Sequence, residues 1–175
     1  MYITDFTEEY RRWRLAAEKA IAQVGDDDDL NRIFAKDGNS IAMLMRHVGG
    51  NLRSRFSDFL TSDGEKPWRD RDGEFDEGPF ARPDAQALWD AGWGTLEGSL
   101  APLTDDDLGK AVYIRGQAAS VHAQLTRSIS HIANHCGQII ILARILTSDW
   151  QWITIPKGKS REYNENPTLE RPASR

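Results

Sequence analysis

Four stretches of the chain carry apolar residues at alternating three- and four-residue spacing, and this periodicity restricts it to a helical architecture. Residues 3–24 align Phe6, Tyr10, Trp13, Ala17, Ile21 and Val24 on one face. Residues 39–60 align Ile41, Leu44, Met45, Val48, Leu52, Phe56 and Phe59, with Gly49 and Gly50 among them. Each glycine costs up to ~1 kcal/mol relative to alanine in a helix, so close approach of a neighbouring backbone is expected there. A third helix opens at Pro83, a residue suited to a first turn, and its stripe is Leu88, Trp89, Trp93, Leu96 and Leu100. The fourth runs over residues 120–148 without Gly-Pro punctuation.

The segments between these helices read as caps and turns. Gly25 and the acidic run from Asp26 to Asp29 predict a solvated turn into a short helix, where carboxylates favour the N-terminal dipole. Residues 61–82 form a long polar connection, and Thr104 to Asp107 a turn or cap. Residues 110–116 alternate as an extended or hairpin-like segment. Periodicity is lost after Pro156, and the last ten residues are expected to fray. The expectation is an all-α, up-down four-helix bundle in one domain over residues 1–160, with a tail over 161–175 and a long loop between the second and third helices.

Composition narrows the function classes. A chain of 175 residues suits a single domain with a real core. With 22 basic against 27 acidic residues, the net charge of −5 disfavours broad binding to nucleic acid or anionic membrane. The single cysteine, Cys136, excludes an internal disulfide, fits a reducing cytosol and reads as a small buried apolar residue. No basic segment followed by an apolar one opens the chain. The most apolar stretch, residues 139–146, is short and carries Arg144, so no membrane span is expected. A cytoplasmic protein acting on a small molecule, with no nucleic-acid or membrane partner, is the resulting expectation.

His131 and His135 carry the chemistry. Positions four apart share a helix face, one turn apart, so both imidazoles can grip one ion. Two ligands hold a metal poorly. Of the remaining histidines, His122 lies about 180° around the helix from His131 and reads as helix-start packing or a solvated residue. His47, on the second helix, is the natural third ligand. Three protein ligands with open positions left over is the pattern of a catalytic metal. Arg127, Gln138 and Gln124 fall within about 40° of His131 on the helical wheel. Arg127 could anchor a carboxylate or form an ion pair, and Gln138 could orient a ligand or a bound water.

The residues around the histidines carry a resemblance. Arg46-His47-Val48-Gly49-Gly50-Asn51-Leu52, Gly64-Glu65-Lys66-Pro67-Trp68-Arg69, His131-Ile132-Ala133-Asn134-His135-Cys136-Gly137-Gln138 and Trp152-Ile153-Thr154-Ile155-Pro156 resemble the DinB-like superfamily of four-helix-bundle metalloproteins. More narrowly, they resemble a bacterial branch of it without assigned function. The resemblance covers residues 2–160, and the family's metal triad maps onto His47, His131 and His135. It implies a divalent metal ion (zinc, nickel, iron or manganese) and a homodimer. It also implies a transferase joining a low-molecular-weight thiol to an electrophilic small molecule, or a metal-dependent hydrolase. A non-catalytic metal-binding or stress-linked structural protein is the third reading.

Other motifs have plainer readings. Arg53, Arg55, Arg69 and Arg71, set among acidic residues, are expected to fasten the long loop by salt bridges. Trp89 and Trp93 read as core or dimer contacts. Lys157-Gly158-Lys159-Ser160 lacks the glycine pattern of a phosphate loop.

Overall fold

The computed structural model describes residues 2–167. Helix α1 (Tyr2–Ile21) leads into the short α2 (Asp27–Leu30), then α3 (Ile41–Phe56) and α4 (Arg82–Leu100). A hairpin of β1 (Ala111–Ile114) and β2 (Gln117–Ser120) precedes the long α5 (Val121–Leu146), and a short α6 (Ser160–Glu165) follows. The fold is mostly helical, and the antiparallel hairpin is the only sheet among the described residues. The fraying expected of the last ten residues falls, from residue 168 onward, outside the described part. Within the tail, α6 adds a helical turn that periodicity did not reveal.

Side chains stop and start these helices. The Asp26 carboxylate accepts from the Asp29 amide and opens α2, the use anticipated for the acidic run. Ser40 caps α3 through the Met43 amide, and Ser120 caps α5 through the Ala123 amide. The start of α1 is capped from a distance. Asp105, in the turn after α4, accepts from the amides of Tyr2 and Ile3 at 3.1 and 3.0 Å.

The core forms where four long helices meet: α3 packs most extensively along α4, and α1 along α5. Leu44, Leu52, Phe56, Trp89, Trp93, Leu96, Leu125, Ile132 and Ile139 are fully buried in it, so both tryptophans belong to the core. Leu88 departs from its expected stripe and is exposed. Its backbone explains why: the Leu88 carbonyl lies against Gly49, and the chain passes so close that no side chain fits between. Gly49 therefore answers the close approach expected of it.

The hairpin turns at Arg115 and Gly116, both with positive φ (54° and 72°), the pairing that a two-residue turn matching strand twist requires. Helix α5 alone among the described helices has the length and mean hydropathy (1.2) of a membrane span, more than the short 139–146 stretch suggested. In the fold, its Ile132, Cys136, Ile139 and Ala143 fill the core while His131 and His135 line a polar cavity. Only 22% of its most apolar stretch is buried, and Ile141 and Ile145 are exposed, so the core accounts for only part of its apolar character.

Candidate metal centre

His47 sits mid-way along α3, and His131 and His135 one turn apart on α5, so the contact between these helices brings the three rings together. The His47 Nε2 lies 3.2 Å from His131 Nε2, which lies 3.1 Å from His135 Nε2. Ligand atoms of all three fall within 4.8 Å of one another. A tetrahedral site with metal–nitrogen distances of ~2.0–2.1 Å has nitrogens about 3.3–3.4 Å apart. The two observed spacings fall within a few tenths of an ångström of that edge. The donor set fits a divalent ion.

A buried polar relay orients His47. Its Nδ1 lies 2.9 Å from Glu74 Oε2, and both Glu74 oxygens accept from Arg69, Oε1 from Nε and Oε2 from Nη2, at 2.8 Å each. Burial alone would push the Glu74 carboxyl up, but the hydrogen bonds from His47 and Arg69 outweigh it and hold the group below its ordinary range. An ionised Glu74 can only accept, so it takes a hydrogen bond from Nδ1–H of His47 and leaves Nε2 as the atom that faces the other two rings. Such carboxylate–histidine pairs set tautomer and orientation at metal sites. Phe75 packs on the His47 ring with centroids 4.5 Å apart.

Gly50 makes room for this relay. A Cβ there would collide with the Glu74 carboxylate, so at Gly50 the close neighbour is an acidic side chain in place of the expected backbone. Glu74 itself, one of the acidic residues set among Arg53, Arg55, Arg69 and Arg71, had no role at the site in the sequence-based expectation. The signal available was an Arg and a Glu five apart in a loop near a histidine-bearing helix.

The α5 pair is held neutral. Burial, then the neighbouring His135 and His47 and the Arg69 and Arg55 guanidiniums, push His131 down to about 3. Burial and His47 push His135 down to about 4, against support from Gln138. Gln138 stands beside His135 without closing a well-formed hydrogen bond, and the buried Nδ1 of His135 has no hydrogen-bond partner among the described residues. Neutral imidazoles are the ligating form.

All three histidines line a cavity of about 330 Å³. Arg127 and Gln124 share its wall as the helical wheel anticipated, whereas Gln138 does not. Arg127 has no ion-pair partner among the described residues, so the salt-bridge alternative for it finds no support. Arg55 on α3 fastens the long loop as expected, through Glu65 at 3.1 Å, whereas Arg69 pairs within the loop with Glu74 and Arg53 on α3 instead covers the Trp68 ring. His122 is exposed and meets Phe6 edge-on at the start of α5. Cys136 is fully buried, and burial raises its thiol to about 12.

Fold and site together define a mostly helical protein with a three-histidine cluster opening onto a cavity. A family model described as "Protein of unknown function (DUF1572)" matches residues 1–159, and the chain belongs to that family. Neither the curated proteins nor the solved structures contain a significant match to it.

Proposed function

We propose that the chain is a divalent-metal-dependent enzyme of the DinB-like type, its four long helices forming an up-down bundle and His47, His131 and His135 holding the ion. The reaction proposed is transfer of a low-molecular-weight thiol to an electrophilic small molecule. The observation that carries this reading is the convergence of three Nε2 atoms at the wall of an open cavity. A dry, closed core would instead have favoured a purely structural cluster.

When bound, the metal supplies a Lewis acid that lowers the pKa of a ligated thiol. The protein's own residues do the rest. Glu74 and Arg69 hold the His47 ring in its ligating tautomer, and burial keeps His131 and His135 unprotonated. In the overall exchange the thiol proton goes to solvent and a carbon–sulfur bond forms. The electrophile's leaving group departs with its bonding pair.

Hydrolysis by an activated water is the second reading. The cavity wall carries no Asp or Glu among the described residues, so the metal alone would have to ionise a bound water, as it would a bound thiol. Exposed Ile141 and Ile145 on α5 support a homodimer, which light scattering would check.

Elemental analysis of untagged protein, purified without chelator, tests the metal. About one equivalent in the wild type, lost in His47→Ala and in His131→Ala/His135→Ala, is expected. Zinc, nickel, iron and manganese are distinguished by the same measurement. No metal after reconstitution would sink the catalytic reading. Metal-loaded protein is then assayed with thiols and electrophiles, the histidine variants serving as blanks.

A further inference from the structure

The wall of the histidine cavity is cationic out of proportion to the chain. Arg55 comes from α3, Arg69 and Arg71 from the long loop, Arg115 from the hairpin turn and Arg127 from α5. No acidic residue lines the cavity among the described residues, although the whole chain carries −5. Two carboxylates behind the wall compensate in part. Glu65 accepts from Arg55 and Arg115 at 3.1 and 2.9 Å, and Glu74 is already shared between Arg69 and His47. Arg71 lies over the Phe75 ring and its one carboxylate contact among the described residues is the fully solvated Asp72, at 3.5 Å, while Arg127 meets no carboxylate among them. Two guanidiniums are thus left with little or no neutralisation beside three that share two acids.

Five arginines from four separate segments do not gather around an empty concavity without electrostatic cost. Arg55 registers that cost: burial above all, with Arg69 and Arg115 nearby, lowers its pKa despite the Glu65 contact. A bound anion would relieve it. Guanidinium forks match carboxylate and phosphate oxygens two at a time, and 330 Å³ is near the small end of ligand pockets.

We propose that this cavity binds a small organic dianion carrying carboxylate or phosphate groups, clamped by Arg127 and Arg71 and presented toward the three histidines. The proposal rests on the small-molecule reading of the site for the ligand's destination. The cationic wall itself exists with or without a metal, so the two readings fail separately.

Titration calorimetry on metal-stripped protein at low ionic strength tests it, with inorganic phosphate, succinate and the uncharged succinamide as probes. Saturable one-to-one binding of phosphate or succinate, weakened by added salt and absent for succinamide, is expected. Binding of phosphate alone points to phosphate esters, and of succinate alone to dicarboxylates. Arg127→Gln and Arg71→Gln should each weaken binding about 10-fold, Arg127→Lys should recover part of it, and Arg11→Gln, on the exposed side of α1, should leave it unchanged. Repeating the titration of succinate on zinc-loaded protein, with zinc content measured in every variant, separates anion binding from metal binding. No saturable binding of either anion, or equal affinity in the wild type and Arg127→Gln, would overturn the proposal.

Discussion

At the scale of single residues, Glu74 is the one whose loss is felt in two places. Its side chain is buried beside an Arg69 side chain only 2% exposed, so removing the carboxylate strands a guanidinium. Breaking a buried pair from one side costs about 3–5 kcal/mol, and losing the outer partner of a metal histidine weakens metal binding about 10–100-fold. Glu74→Gln should therefore lower both the urea midpoint and the zinc affinity. Gly50→Ala should lower zinc affinity too, through the collision with the same carboxylate. Unchanged zinc affinity in both variants would remove Glu74 from the site. The α5 histidines make a second prediction, for metal-free protein. Their folded pKa values, about 3 and about 4, lie below the ordinary 6.5. Above pH 6.5 both are neutral in either state. Below it the unfolded chain takes up protons that the folded cluster refuses, so stability falls with pH until about 4 for His135 and about 3 for His131. Urea midpoints between pH 7 and 5 should drop in the wild type and drop less in His131→Ala/His135→Ala. The His131 and His135 pair was legible from spacing, because a four-residue period on a helix is local information, whereas His47 entered only as the remaining histidine on another helix. Glu74 was not, because its role depends on where a loop folds back.

At the scale of elements, the crossing of α3 and α4 has the least tolerance. Gly49 and Gly92 face each other, and a Cβ at Gly92 would sit 2.5 Å from the Gly49 carbonyl oxygen and 2.6 Å from its Cα. Both obstacles are backbone, so neither can rotate aside. Gly92→Ala should force the helices apart and destabilise the fold by about 1–3 kcal/mol, read as a lower urea midpoint. Gly94→Ala and Gly98→Ala, on the open side of the same helix, should match or exceed the wild type, since no neighbour meets their added methyl groups. The helices themselves were readable because their apolar stripes follow the period of the backbone. The second strand was not. Gln117, Ala118 and Ala119 lack alternation and β-branched side chains, and they pair only because the Arg115-Gly116 turn returns them to β1. Asp63 holds that turn from outside, accepting from the amides of Arg115 and Gly116 at 2.8 and 2.7 Å. Long-range pinning of this kind leaves no periodic trace.

At the scale of the whole molecule, the histidines lie across the weaker seam. The two extensive pairings are α3 with α4 and α1 with α5, and His47 belongs to the first while His131 and His135 belong to the second. A metal held by all three would join the pairs where their direct packing is thinner. Because the unfolded chain does not present the cluster, binding adds to folding stability by mass action, about 2.7 kcal/mol at a free concentration 100-fold above Kd. For a chain of this size each kcal/mol moves Tm by roughly 2–4 °C, so saturating zinc should raise it by about 5–11 °C. His47→Ala should abolish most of the gain although both α5 ligands remain, because the ion would then bind one helix pair and bridge nothing. A zinc-dependent rise of the same size in His47→Ala would show that the α5 pair holds the ion alone. Hydrogen exchange adds location to the measurement. Zinc should slow exchange in both α3 and α5 of the wild type, and in His47→Ala any residual protection should be confined to α5.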